Sequence, residues 1–314
     1  MKLSFGIQLE PQFGYMKKDV DKLAEKASRY KFDTIWVSDH MFLDEKAVDK
    51  SAFDSWTLMT YLVTKFKLRV GSLVLCNSYR HPSILAKMVS TLDHLSGGRI
   101  EFGYGAGWKE MEYKAYGIEF PPVKTRLEQL EEGLQVIKKL WSEEKASFSG
   151  KHYTLDEAIC YPKPLQKPHP RIVIGSMTGG KKMLQIAAKH GDMINLAWSF
   201  TPERCKEIFQ QLDSYTSEAS RNKLLRSVGF WVRLYASEEE KQAKMKEGAQ
   251  QRNFSIEEYT KRLEGALVGT KEEITEKLAK YIKLGVTHFV FMFPAKEEPT
   301  YLRIFNDEIF PSVI

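Results

Sequence analysis

The sequence predicts a (β/α)8 barrel, an α/β fold of the TIM type, with an insertion before strand five. Three observations predict it. Short apolar runs suited to buried parallel strands alternate with helical segments along the 314 residues. The strand-like runs number eight, the count at which such a sheet closes on itself. The first of them has no GxGxxG turn after it, the mark of a doubly wound open sheet. Residues 1–314 are read as one domain.

Residues 3–9 form the first apolar run, after which Val20, Leu23, Ala24 and Ala27 recur at helical spacing. The second strand, 34–37, ends at Ser38-Asp39-His40 and leads through a polar loop to a helical segment around Leu58, Tyr61 and Leu62. The third strand is 69–75, and its helix is expected to place Ile84, Leu85, Met88, Val89, Leu92 and Leu95 on one face. A turn at Gly97-Gly98 opens the fourth strand, 99–104, which breaks into Gly105-Ala106-Gly107-Trp108. The long helix after that loop carries Leu127, Leu130, Leu134, Ile137 and Trp141 at spacings of three and four. Between 142 and 170, Ser149-Gly150 and Pro162, Pro164, Pro168 and Pro170 replace that period, which predicts an inserted loop with one hairpin. Strands five to eight are then 171–174, 193–196, 227–235 and 287–293. Helices fall at 181–189, 202–218 and 271–283, the last opened by Thr270 and Glu273 at capping-box spacing.

Hydrophobic residues at 43% and charged residues at 28% permit a sizeable core and exclude global disorder. The net charge of +6 comes from lysines interleaved with glutamates, as in Lys271-Glu272-Glu273. This is read as a solvated surface with no nucleic-acid partner, although a positive excess also suits a phosphorylated or carboxylated ligand. Three cysteines without a CxxC pair point to neither a disulfide framework nor a zinc site, and no HxH or HExxH pattern marks a metal-dependent hydrolase. Met1-Lys2 leads straight into a strand pattern without a signal-peptide layout, and no run approaches the length of a membrane span. The expectation is a soluble cytoplasmic protein without a membrane partner.

In a barrel of this type the loops beyond the C-terminal strand ends build the site. That rule selects Glu10, Asp39 and His40, Cys76 and Asn77, Gly105 to Trp108, Gly175 and Ser176, Asn195 and Trp198, and Phe293 with Pro294. Asp39-His40 is the most chemically loaded pair, since an imidazole exchanges protons near neutral pH while a carboxylate positions a donor. The competing reading is a strand-end Asp capping the next turn beside a structural His. His81 and His94, near the third helix, read as structural. Glu110 and Glu112 come after the glycine loop within reach of a substrate, but carboxylates early in a helix also suit its positive end, and both are read in that role. The run from Gly175 and Ser176 to Gly179 and Gly180 precedes a helix, so it reads either as an anion site or as a flexible turn.

At these positions the sequence resembles the bacterial luciferase-like monooxygenase superfamily, and within it the deazaflavin-dependent branch that uses coenzyme F420. The run from Arg80-His81-Pro82 through LDHLSGGR to GAGW carries the likeness, together with Glu112 and Tyr116-Gly117 beyond it. Ser38-Asp39-His40, Cys76-Asn77, the Gly175 to Gly180 loop, Gly269-Thr270 and Gly285-Val286 add to it. The resemblance implies a barrel, often dimeric, that holds a flavin or deazaflavin at its C-terminal mouth with the phosphate near Gly175, Ser176, Gly179 and Gly180. It implies cofactor contacts at Asp39, Cys76, Asn77, Ala106 and Gly107 and a proton-exchanging role for His40; the loop from Gly105 to Trp108, read from its glycines after a buried strand, forms a wall of the same site. A non-proline cis peptide is implied near Leu73-Val74. One departure stands out: sugar-phosphate dehydrogenases of the F420 branch carry a glutamate directly after the last glycine of this loop, where this chain has Trp108, which leaves Glu110 as the candidate second catalytic residue. The reading is therefore an oxidoreductase that moves a hydride between F420 and a small organic substrate, as a homodimer. The alternatives are an FMN-dependent monooxygenase on the same barrel and a flavin-binding or deazaflavin-binding protein without turnover.

Overall fold

Alternation decides which side of each strand is buried against what. In the computed structural model, which describes residues 2–295 and 297–314, eight parallel strands close into a barrel. They are β1 (Ser4–Leu9), β2 (Thr34–Val37), β3 (Arg69–Ser72), β4 (Ile100–Gly105), β5 (Ile172–Ser176), β6 (Met193–Leu196), β7 (Leu225–Leu234) and β8 (Val286–Met292). Each pairs with the next in chain order, and β8 returns to β1 from Ser4↔His288 to Ile7↔Phe291. Outward-pointing residues such as Ile7, Ile35, Phe102, Ile174 and Phe230 join the main apolar core beneath the helices. Inward-pointing Trp36, Leu73, Val173, Met193 and Val290 fill the barrel itself.

The helices are α1 (Lys17–Arg29), α2 (Ser55–Lys65), α3 (Pro82–Ser96), α4 (Glu110–Ala115), α5 (Val123–Ser142), α6 (Lys181–His190), α7 (Pro202–Glu218), α8 (Glu238–Gln251), α9 (Ile256–Arg262), α10 (Lys271–Lys283) and α11 (Glu298–Ile304). The expected capping box of α10 forms between Thr270 and Glu273. The insertion holds one antiparallel hairpin, Ala146–Ser149 with Thr154–Ala158. Beyond it the chain lies along α3, where Lys87 Nζ bonds the Tyr161 carbonyl and His94 Nε2 sits 2.7 Å from the Lys163 carbonyl oxygen.

Two expectations need correcting. Ile84 and Leu95 do not share the buried face of α3, being 60% and 63% exposed. That face turns instead towards Ala86, Ser90 and Asp93, whose small or polar groups admit α5 and the insertion. Trp141 Nε1 donates to the Ala86 carbonyl, and Gln166 bonds Asp93. The third strand also does not run to Leu75. It stops at Ser72, passes through the cis Leu73-Val74 peptide implied by the resemblance, and resumes at Leu75–Cys76 against Tyr104 and Gly105. A second non-proline cis peptide joins Ala197 and Trp198.

The N-terminal end of the barrel is plugged by charge. Glu101 is buried with Arg69 Nε at 2.7 Å and Arg171 Nε at 3.7 Å, and Arg171 also reaches His288 at 2.8 Å. Burial pushes the Glu101 carboxyl up against the opposing pull of Arg171 and Arg69. The same burial and the two arginines hold His288 down to about 4. With this end closed, the open end is the C-terminal mouth.

Candidate active site

The segments that leave β2 and β4 organise the mouth. Glycine at 107 has φ +73, and a Cβ there would lie 1.9 Å from the Tyr113 hydroxyl and 2.7 Å from Cys76 Sγ. A side chain is therefore barred twice, by backbone conformation and by space. This turn lets α4 start at once and bring its second turn back towards β2. On that short helix Lys109, Glu112, Tyr113 and Tyr116 share the spacing of one face, while Glu110 and Lys114 share another.

Glu112, 1% exposed, is the centre of the site. Its carboxylate lies 3.1 and 3.2 Å from His40 Nδ1 and accepts from the Met41 amide at 3.0 Å, the Tyr79 hydroxyl at 3.0 Å and Lys109 Nζ at 3.1 Å. Burial raises its proton affinity, but the bonds from His40 and Lys109 outweigh that and bring the carboxyl down to about 2. Glu112 is thus an anion at neutral pH. A carboxylate at Nδ1 fixes the neutral imidazole with its proton on that nitrogen, which leaves the Nε2 lone pair free for a substrate. Trp108, 58% exposed, stands edge-on to the ring with centroids 5.5 Å apart. Burial of Tyr79, reinforced by Cys76 and Glu112, drives its hydroxyl well above the ordinary range and keeps it a donor.

Asp39 is buried behind His40. Its carboxylate accepts from the Cys76 amide at 2.8 Å, from Arg80 at 2.7 and 3.1 Å, and from the Ser55 hydroxyl. These bonds tie the ends of β2 and β3 to α2. Arg80 continues to Asp54, the N-cap of α2. Cys76 Sγ faces the Tyr113 hydroxyl at 2.9 Å, and burial pushes this thiol up to about 11, so it is inert as a nucleophile. Asn77, 1% exposed, accepts from the Tyr104 hydroxyl at 2.6 Å.

Glu110, by contrast, does not join His40. It is half-exposed and pairs with Lys114 at 2.9 Å on the solvent side of α4. Its neighbour two residues on occupies the place expected of it, because the helix phase turns residue 112 inward. Tyr79, Arg80 and Lys109 join this cluster without being selected by the strand-end rule; the same helix phase is the signal that points to Lys109. His81 and His94 are structural as read, His81 capping α3 at Ser83.

The mouth has features that fit a flat, anionic cofactor. Gly105 and Gly175 pack against Val74, and Gly107 against Tyr113 and Cys76, so glycine at these three positions lets the strand ends and their loops draw close together. Asn195 is 1% exposed on the inner row of β6, and its Oδ1 has no hydrogen-bond partner among the described residues. An orphaned acceptor of that kind suits a ring N–H. At the end of β5, Ser176 Oγ accepts from the Gly179 amide at 3.0 Å. Helix α6 follows, with Gly180 as its N-cap and neither a side-chain cap nor an acidic residue in its first turn, so its first amides have no side-chain acceptor.

The model of the luciferase-like monooxygenase family matches residues 9–264. The chain belongs to that family. Among its luciferase-like relatives, an F420-dependent glucose-6-phosphate dehydrogenase of Amycolatopsis mediterranei is 25% identical over 329 residues, covering 96% of each chain. Another of that name from Kineococcus radiotolerans is 27% identical, over 92% of this chain and 90% of the relative. In three dimensions the barrel is similar to an F420-dependent secondary alcohol dehydrogenase in complex with an F420-acetone adduct, with a TM-score of 0.85 at 22% identity and full coverage of both chains. It is also similar to a monooxygenase from Streptomyces bottropensis, with a TM-score of 0.81 at 20% identity over 99% of this chain and 100% of that one. At these identities the structural likenesses speak to the luciferase-like fold.

Proposed function

We propose that this chain is an F420-dependent oxidoreductase that moves a hydride between the deazaflavin and a small organic alcohol or carbonyl compound. The observation that carries the reading is the His40–Glu112 couple at the end of β2, in which the carboxylate engages the imidazole through Nδ1. When bound, F420 supplies the carbon that accepts or gives the hydride. The protein supplies position and the proton. Cys76, Asn77, Ala106, Gly107, Gly175 and Asn195 hold the ring, with Asp39 bracing their loops from behind. Ser176, Gly179 and Gly180 hold the phosphate. His40 Nε2 takes the substrate hydroxyl proton in oxidation and returns it in reduction, with Glu112 keeping the imidazole in the required tautomer. Trp108 walls the substrate side. Relatives named as F420-dependent dehydrogenases across nearly the whole length support the choice of cofactor.

The test is turnover of F420 with a panel of alcohols and sugar phosphates. His40→Ala is expected to lower kcat/KM by roughly a thousandfold with F420 affinity retained. Unchanged turnover in that variant overturns the assignment. FMN as cofactor of a monooxygenase is the second reading, because a monooxygenase shares this fold; Trp108, standing where the sugar-phosphate enzymes have glutamate, argues only against a sugar-phosphate substrate. Direct binding separates the two.

We further propose a homodimer in a reducing compartment, the cytoplasm. Cys76, Cys160 and Cys205 are all buried free thiols, and among the described residues no helix is long and apolar enough to cross a membrane. Exposed Ile84 and Leu95 flank the stripe of α3 on which the insertion lies, where Ile159, Tyr161 and Leu165 are exposed as well. Leu95→Glu should convert a dimer to a monomer in light-scattering mass measurements; a wild-type monomer contradicts the dimer.

A further inference from the structure

A buried carboxylate bonded to an imidazole favours the imidazolium, and an imidazole kept protonated cannot accept a second proton at Nε2. We propose that Lys109 is a positioning residue that resolves this conflict: it neutralises Glu112 and pins the loop after β2, so that His40 is held in place yet remains able to cycle its proton. The proposal rests on the reading of His40 as the proton-exchanging group.

The geometry is complete around the ammonium. The Lys109 side chain is 11% exposed, and its Nζ donates to Glu112 Oε1 at 3.1 Å, the Phe42 carbonyl at 2.5 Å and the Leu43 carbonyl at 2.7 Å. Three N–H donors meet three acceptors inside the protein, so this lysine has no donor left for a substrate anion. The loop is stitched from both ends of its peptide groups. Its Met41 and Phe42 amides point at Glu112 Oε1, and its Phe42 and Leu43 carbonyls point at Lys109. The ammonium also lies 5.2 Å from the centre of the Phe42 ring.

The other groups around His40 do not supply this neutralisation. The Tyr79 hydroxyl bonds Glu112 but carries no charge. Arg80 is taken by Asp39 and Asp54. Lys114 is taken by Glu110 on the exposed side of α4. Trp108 contributes a ring. Lys109 is therefore the cation that offsets Glu112, and removing its charge leaves an uncompensated carboxylate against the imidazole.

The experiment is a nitrogen-15 NMR pH titration of the imidazoles in the full-length protein. The His40 resonance is identified among the 7 histidines by its loss in His40→Ala. Lys109→Gln keeps a donor for the loop carbonyls and removes the charge, and Lys109→Arg keeps both. The His40 titration midpoint is expected to rise by about one unit in Lys109→Gln, stay near wild type in Lys109→Arg and fall in Glu112→Gln. The alkaline-activated limb of the oxidation rate should rise by the same amount. Lys109→Met, which loses both charge and donor, repeats the test if the first variant is unstable. An unchanged midpoint in a folded, uncharged variant overturns the proposal. A midpoint that rises while the rate limb stays in place upholds the action of Lys109 on His40 and overturns the proton-exchanging role of His40 itself.

Discussion

Two glutamates two residues apart on α4 have opposite surroundings, and the difference lies in the 3.6-residue period. Glu112 turns inward to His40, Tyr79 and Lys109, while Glu110 turns outward to Lys114. A surface pair of the second kind contributes little, whereas truncating a buried carboxylate that orients a catalytic imidazole is costly. Glu112→Gln is expected to lower kcat/KM roughly ten- to hundredfold, and Glu110→Gln to leave it within about twofold. Steady-state kinetics of the two purified variants compares them directly, and equal losses would contradict the assignment. Asp39 and His40 were legible in the sequence because a strand end in a barrel fixes where a residue stands. The choice between Glu110 and Glu112 was not, because it depends on the helix phase set by the Gly107 turn and by what packs on Tyr113. The engagement of Asp39 by Arg80, Ser55 and the Cys76 amide was hidden for a related reason: three separate segments must come together to form it.

Strands and helices with one apolar side could be read from pattern, and those without one could not. All eight barrel strands match runs seen in the sequence to within a few residues at each end. Helix α8 buries just Gly248 and Ala249, and α9 buries no residue, so neither offers a stripe to read. Their start signals were present all the same: Ser237 and Ser255 cap them, the latter in a capping box with Glu258. The break in the third strand has no counterpart in hydrophobic pattern, since Leu73, Val74 and Leu75 continue the apolar run. At this scale the decisive turn is Gly107. Gly107→Ala combines a left-handed backbone with overlap on Tyr113 and Cys76 and is expected to cost about 2–4 kcal/mol of stability. A denaturant midpoint indistinguishable from wild type would sink that account of the turn.

For the molecule as a whole, charge placement predicts how the barrel meets acid. Burial, with Lys138 and Lys189 for His190 and Arg171 and Arg69 for His288, lowers both imidazoles to about 4. Unfolded, each takes up its proton near pH 6.5, so stability is full above that value and declines as pH falls from about 6.5 towards 4, by up to roughly 3 kcal/mol per histidine. Glu112, lowered to about 2, adds a further loss below about pH 4.5 as its carboxyl is protonated. Thermal unfolding followed from pH 8 to pH 4 should show the decline beginning between pH 6 and 7, and a flat profile down to pH 5 would contradict it. The closed barrel carries its charged plug at one end and the His40–Glu112 couple at the other. The cofactor is decided by competitive binding of F420 and FMN to the purified protein, read by fluorescence and by equilibrium dialysis. F420 is expected to bind without being displaced by FMN; tight FMN binding with no affinity for F420 would overturn the assignment of a deazaflavin oxidoreductase.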